Sequence, residues 1–129
     1  MTKKQTYITW AAQIVAAAIL AMAMFPKFTG DPQAINTFTI LGVEPWGRYA
    51  TATLELIAAI LLLVPQLKKH AMGGLVAAGL MIGALGSHVL KLGFAGEIGS
   101  MAAMAAVVLI ASLVVLYLRR SELPIKMGS

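Results

Sequence analysis

The sequence predicts an all-α fold, an integral membrane four-helix bundle, and two observations support this prediction. Hydrophobic residues make up 60% of the 129 residues and charged residues only 12%, whereas a soluble globular chain usually carries about 25% charged residues. The mean hydropathy is +0.86. The apolar residues also fall into four long stretches that do not alternate with polar residues, as the strands of a membrane barrel would.

Each of the four stretches approaches the roughly 20 residues that a helix needs to cross a bilayer. Alanine, leucine and methionine dominate them, and they run over residues 7–25, about 46–64, 71–90 and 98–118. They occupy most of the chain, so we expect a single transmembrane domain over residues 1–129, without room in it for a soluble catalytic domain. The first stretch follows Lys3 and Lys4 and contains Ala21-Met22-Ala23, a pattern that resembles a signal-peptide cleavage site. Its apolar part is longer than a usual signal core, which favours a retained helix.

The charges between the spans predict the orientation of the protein in the membrane. In a four-span protein the two termini and the loop between spans two and three share one side. That side holds seven basic residues against the single acid Glu122: Lys3, Lys4, Lys68, Lys69, Arg119, Arg120 and Lys126. Basic residues accumulate on the cytoplasmic side. We therefore expect a multi-pass protein of the cell (inner) membrane with both termini in the cytoplasm.

The long connection between spans one and two predicts a short amphipathic helix. Its segment Asp31–Leu41 begins with Asp-Pro, a favourable helix start, and Gly42 follows its end. Ile35, Phe38 and Leu41 recur at three-residue steps and give the segment one apolar face. We expect this helix to lie over the outer end of the bundle or in the membrane interface, as a lid or as an ordinary surface segment.

The composition excludes several chemistries. The chain has no cysteine, which removes disulfides, iron–sulfur ligation and cysteine nucleophiles. The net charge of +5 reflects membrane topology and contact with anionic lipid, and no basic face with interleaved aromatic residues predicts nucleic-acid binding. Glycine-rich phosphate loops and a serine nucleophile elbow are absent from the sequence.

Four polar residues in or beside the spans form the candidate ligand-binding site. Glu55 is an isolated acid inside an apolar span, where an unpaired carboxylate is costly and marks a candidate functional group. Arg48, Thr51, Ala52 and Glu55 lie on about one helical stripe, which continues as apolar residues toward the cytoplasmic side. Lys27 ends the first span, and His88 lies near the outer end of the third. Lys27, Arg48, Glu55 and His88 thus predict a polar pocket that opens to the outer side and is closed by an apolar cytoplasmic half.

Each of these residues also has a structural interpretation. Glu55 could form an ion pair with Lys27, Arg48 or Lys91 that holds the bundle together. The lysines could extend to the membrane interface, and His88 could be an interfacial hydrogen-bonding residue. Gln13 is expected to bridge helices.

The third span contains three glycines at helical spacing, and the spans contain few possible metal ligands. Gly79 and Gly83 form a small-xxx-small pattern, with Gly86 one turn further, and predict close helix packing, either within the bundle or between subunits. No metal site is predicted, because Glu55 and His88 supply only two ligands where a catalytic zinc needs three.

A succession of short motifs resembles the DoxX-like family of small four-helix membrane proteins. The motifs are Phe25-Pro26-Lys27, Phe38 with Leu41-Gly42-Val43, Glu55-Leu56 with Leu61-Leu62-Leu63-Val64-Pro65, and Met81, Ala84 and His88 in the third span. The resemblance covers roughly residues 10 to 92, and the fourth span fits it by length and hydrophobicity. It implies a compact four-helix membrane bundle. The family name derives from a subunit associated with thiosulfate:quinone oxidoreduction.

Three functions from different classes fit the sequence. The first is binding of a lipophilic small molecule, such as a quinone, a lipid or a sterol-like compound, by a chain that could serve as the accessory subunit of a redox complex. The second is an assembly subunit of a membrane complex without a ligand, and the third is a small proton-coupled exporter that acts as a dimer. An isomerase or oxidoreductase with Glu55 and His88 as acid and base has no recognisable catalytic set. The sequence identifies no cofactor, and its predicted partners are the lipid bilayer, a lipophilic molecule and a homo-oligomer or membrane complex.

Overall fold

The structure, a computed structural model, describes residues 2–65, 69–87, 89–90 and 96–122. Every regular element in these ranges is helical. The elements are α1 (Lys3–Thr29), α2 (Pro32–Ile40), α3 (Trp46–Leu63), α4 (His70–Ser87), α5 (Gly96–Leu118) and a 3₁₀ turn at Arg120–Glu122. The predicted all-α class is confirmed, and α1, α3, α4 and α5 correspond to the four predicted spans.

The ends of α1 and α2 follow from local chemistry. Thr2 and Gln5 form a reciprocal capping box at the start of α1, which satisfies amide groups that lack a helical partner. Gly30 ends α1 with a φ of 75° and donates its N–H to the carbonyl of Pro26, in a left-handed conformation that glycine adopts without strain. The side chain of Asp31 accepts a hydrogen bond from the backbone of Gln33 and caps α2, as the Asp-Pro start predicts.

Four helices form a closed ring. α1 packs against α3 and α5, α4 packs against α3 and α5, and the diagonal pair α1 and α4 makes few contacts. Each helix is therefore antiparallel to both of its neighbours. We call the end of the ring that carries α2 the α2 end, and the end at Lys3, Leu63, His70 and Leu118 the termini end.

The core of the ring consists mainly of small side chains. Seven of its twelve buried members are alanines, and the others are Leu20, Leu62, Met81, Val108 and Val115. Small residues allow helix backbones to approach closely, and this close packing is what associates helices when the surrounding lipid is as apolar as the side chains.

Apolar side chains also cover the outside of the ring, as expected for a membrane protein. Three helices are long and apolar enough to cross a membrane, namely α1, α3 and α4, and a shorter apolar helical stretch covers Ala102–Leu118. Large exposed side chains occur on all four helices of the ring, among them Tyr7, Phe25, Ile57, Ile82, Ile110 and Tyr117. Such a surface is stable in contact with lipid rather than water.

The buried stripe of α3 agrees with the sequence prediction. Arg48, Ala52 and Glu55 are buried, and the stripe continues through Ala58, Ala59 and Leu62. The apolar face predicted for α2 agrees in part: Phe38 is buried, whereas Ile35 and Leu41 are only half-buried and Ala34 and Thr37 complete the buried face.

Candidate functional site

Lys27 and Glu55 form a buried ion pair between α1 and α3. The ammonium nitrogen of Lys27 lies 3.1 Å from Oε1 of Glu55 and donates a hydrogen bond to Oε2 over 3.4 Å. It also donates to the carbonyl of Ala23 at 2.9 Å. The side chains of Lys27 and Glu55 are only 13% and 3% exposed. Of the two candidate cations that the structure describes, Lys27 and Arg48, Lys27 is thus the one that pairs with Glu55.

Arg48 has a different role from the one predicted. Its Nε donates to both carboxylate oxygens of Glu44, at 2.9 and 3.0 Å, and Nη1 donates to the backbone carbonyl of Lys27. Its guanidinium also lies 4.4 Å from the centre of the Tyr49 ring. A cation at the carboxyl end of a helix binds carbonyls that lack a helical partner and complements the helix dipole. Arg48 therefore links the end of α1 to the start of α3 through the backbone of Lys27, whose side chain forms the ion pair with Glu55.

A cavity of about 680 Å³ extends from beneath α2 toward the middle of the bundle. Its walls come mainly from α2, α3 and α4, with Ala23 and Lys27 from α1 and Ala105 from α5. The polar side chains in the wall are those of Lys27, Thr37, Thr51, Glu55 and Ser87, and the other lining residues are apolar or glycine. The volume lies in the range of ligand-binding pockets, which typically combine an apolar wall with a few polar groups.

The cavity lies between α3 and α4 in the half of the bundle nearer the α2 end. At the termini end the two helices touch: a Cβ atom added to Gly73 would lie 2.9 Å from the amide nitrogen of Leu62 and 3.1 Å from the carbonyl of Ala58. Further along α4, a Cβ at Gly79 or Gly83 would have no atom of the described residues within 4 Å. Both of these glycines line the cavity.

Inside the bundle, the close helix contacts of α4 therefore lie at other glycines than the predicted pair. Gly79 and Gly83 border open space, whereas the close helix contacts of α4 occur at Gly73, against α3, and at Gly74, whose added Cβ would lie 3.0 Å from the carbonyl of Ser112 on α5. Adjacent glycines point in directions about 100° apart on a helix, so this pair serves two neighbouring helices at once.

The gap between α3 and α4 reaches the outside of the bundle. Leu54 of α3 and Leu75 of α4 both line the cavity, and they are 43% and 48% exposed. The floor is buried, since Met81 and Ala105 are 6% and 7% exposed. The gap thus connects the lipid-facing surface with the interior near Glu55.

The fourth predicted site residue, His88, lies outside the described residues, and so does Lys91. The structure consequently brings together two of the four predicted site residues, Lys27 and Glu55, around the cavity. It places the third, Arg48, behind them.

A second buried polar cluster lies at the termini end. Gln13 of α1 donates to the carbonyl of Leu62 at 2.6 Å and accepts from the hydroxyl of Thr9 at 3.0 Å and from Nε of Arg119 at 2.6 Å. Arg119 also pairs with Glu122 at 3.3 Å, and Glu122 in turn accepts from the backbone amide of Ala71 at the start of α4.

This termini-end cluster joins all four helices of the ring. The helix-bridging role predicted for Gln13 is confirmed, and the apolar core below Glu55 ends at this polar layer. The signals for this layer were Gln13 itself, the only amide within the first span, and the arginine at the end of the last span.

His70 lies beside the termini-end cluster. Its ring contacts Trp10 edge to face with 5.1 Å between centroids, and Nδ1 lies 3.1 Å from the carbonyl of Leu61. In the described part of the chain no three histidine, cysteine or acidic side chains cluster in a way that could hold a metal ion. No family model, curated protein or solved structure matches this chain.

Proposed function

We propose that this membrane protein binds a lipophilic small molecule, such as a quinone, a lipid or a sterol-like compound, in the cavity at the α2 end. The observation that supports this most is that the buried Lys27–Glu55 pair borders a cavity of about 680 Å³ with mostly apolar walls. A ligand with a small polar head and a large apolar body matches this arrangement. The head would lie at the ion pair and the body along α3 and α4.

The properties of the ion pair favour a ligand-binding site over a purely structural link between α1 and α3. Oε1 of Glu55 is buried and accepts no hydrogen bond from the residues that the structure describes, although it lies 3.1 Å from Nζ of Lys27. A buried carboxylate oxygen without a hydrogen bond costs free energy, and replacing the pair with apolar side chains would serve a purely structural role equally well. The bundle therefore maintains a costly polar group at the cavity wall.

We propose further that the chain is a DoxX-like protein of the inner membrane, with the α2 end facing away from the cytoplasm. The order of motifs from Phe25 to His88 and the distribution of basic residues support these two statements. Reporter fusions at residue 129 and at the Gly30 connection test the orientation. Cytoplasmic signal at residue 129 and non-cytoplasmic signal at Gly30 are expected, and the opposite pattern would contradict the proposal.

The test of binding is untargeted mass spectrometry of the lipids and quinones that purified protein retains. We expect a molecule enriched over the surrounding lipid in the wild type and lost in Glu55→Gln. Glu44→Gln is the matched control, because Glu44 is also an acid paired with a cation near the α2 end, but it does not line the cavity.

The comparison requires that both variants remain folded, as measured by circular dichroism. Equal retention by wild type and Glu55→Gln, or no enriched molecule in the wild type, would contradict a binding site at Glu55. The latter result would favour an assembly subunit without a ligand.

A further inference from the structure

We infer that the cavity takes an amphiphile with an uncharged oxygen head group, which reaches Lys27 from the bilayer through the gap between α3 and α4. This inference rests on the proposed binding function and adds to it the chemical class of the head and the route of access. It follows from the charge at the end of the cavity, the hydrogen bonds still open there, and the shape of the gap.

The charge at the cavity wall excludes an ionic head group. Lys27 and Glu55 neutralise each other at 3.1 Å, and Arg48 behind them is neutralised by Glu44 at 2.9 Å. An anionic or cationic head placed at Lys27 would be a buried charge without a counterion among the described residues, which is strongly unfavourable. The wall therefore selects a neutral head.

The hydrogen bonds at the ion pair define the head further. The ammonium group of Lys27 has three N–H donors, and two of them are used, toward Ala23 and Oε2 of Glu55. Lys27 is also the more exposed member of the pair, at 13% against 3%. The open groups at the ion pair are thus an N–H donor of Lys27 and the acceptor Oε1 of Glu55, and a hydroxyl, which both accepts and donates, is the uncharged head that fits them.

The shape of the gap defines the route. The helix backbones touch at Gly73, and nearer the α2 end the cavity lies between α3 and α4, with the exposed Gly79 and Gly83 at its rim. Leu54 and Leu75 border the gap and are about half exposed on the side that faces lipid. An alkyl chain can pass between these two leucines and remain in apolar surroundings.

Photolabelling in phosphatidylcholine vesicles tests both parts of the inference. Three probes share one alkyl chain with a mid-chain diazirine and differ only in the head: a hydroxyl, a sulfonate or a trimethylammonium group. Labelling is mapped by mass spectrometry at the buried floor residue Met81 and divided by labelling at Ile110, which is 65% exposed and reports bulk lipid. We expect the alcohol to give a ratio about tenfold above that of either charged probe, since an unpaired buried charge costs at least the free energy of a tenfold change.

A pair of glycine variants tests the route. Gly79→Phe places a ring in the gap and should reduce the ratio for the alcohol about tenfold. Gly86→Phe is the control, because an added Cβ at Gly86 also meets no described atom within 4 Å but Gly86 does not line the cavity. Gly79→Leu serves as a second variant if the phenylalanine prevents folding.

The outcomes separate this inference from the proposed function. Equal floor labelling by all three probes would overturn the neutral head, and labelling that Gly79→Phe leaves unchanged would overturn the gap as the route. In both cases a binding cavity would remain. No floor labelling above background by any probe would contradict the cavity as a site for lipophilic molecules and overturn the inference with it.

Discussion

The same substitution at two glycines of α4 provides the sharpest test of the helix geometry. Gly73→Ala would place a Cβ atom 2.9 Å from the amide nitrogen of Leu62 and 3.0 Å from Cβ of Leu61, where unstrained contacts between carbon atoms are about 3.5–4.0 Å. Gly79→Ala would meet no described atom within 4 Å. α3 must therefore move for the first variant and need not move for the second.

The expected difference in the free energy of unfolding between the two variants contains only one of two contributions, because the other cancels. Both changes raise helix propensity by the same amount, up to about 1 kcal/mol, and this gain disappears in the difference between the two variants. What remains is the overpacking at the α3–α4 crossing, which typically costs about 1–3 kcal/mol. We expect Gly79→Ala to equal or exceed the wild type in stability and Gly73→Ala to lie about 1–3 kcal/mol below Gly79→Ala.

The assay is reversible unfolding in mixed micelles by titration with a denaturing detergent, followed by circular dichroism. Gly74→Ala extends the test to the contact with α5, where the added Cβ would lie 3.0 Å from the carbonyl of Ser112. Equal free energies of unfolding for Gly73→Ala and Gly79→Ala would refute a close contact between α3 and α4 at Gly73.

Three further predictions use the same unfolding assay. Lys27→Met and Glu55→Gln should each destabilise the protein, and the double variant should be less than additive by about 0.5–3 kcal/mol, because the second change removes a pair that is already broken; additive effects would contradict the ion pair. Arg48→Lys should lower the free energy of unfolding by about 1–3 kcal/mol, because a lysine cannot reproduce the hydrogen bonds of the guanidinium to Glu44 and to the end of α1. An unchanged free energy of unfolding would contradict this role of Arg48. Arg119→Met should lower the free energy of unfolding by about 1.5–3 kcal/mol, the range for a hydrogen bond to a charged group. The loss should be smaller in a Gln13→Leu background, where only the remaining contacts of Arg119, such as the pair with Glu122, are broken; an equal loss in both backgrounds would show that Gln13 and Arg119 do not interact.

The helices were largely predictable because their signals are local. Long apolar stretches mark the spans, and the Asp-Pro pair and Gly42 mark the two ends of α2 within a residue or so. The buried stripe of α3 was also predictable, because a single acid in an apolar helix indicates which face is turned inward.

The partner of Glu55 could not be predicted from the sequence. Lys27, Arg48 and Lys91 all lie toward the same end, and the rotation of each helix about its axis decides which one reaches the carboxylate. Arg48 pairs with Glu44, which lies four residues before it in the sequence, and Lys27 pairs with Glu55.

The packing of α4 inside the bundle could not be predicted for a related reason. A helix in lipid is apolar on all sides, so its periodicity does not show which face is inward. The small-xxx-small pattern at Gly79 and Gly83 is therefore compatible with a packed face or an open one. The close contacts with α3 and α5 occur instead at the adjacent residues Gly73 and Gly74, which do not form such a pattern.

The most direct test of the cavity and its opening is a crystal structure of the protein grown from a lipidic mesophase doped with a long-chain alcohol. We expect α3 and α4 to touch at Gly73 and to enclose, nearer the α2 end, elongated density that ends at the ammonium group of Lys27. Helices in contact along their whole length, or a cavity closed by side chains with density only on the outer surface, would contradict it.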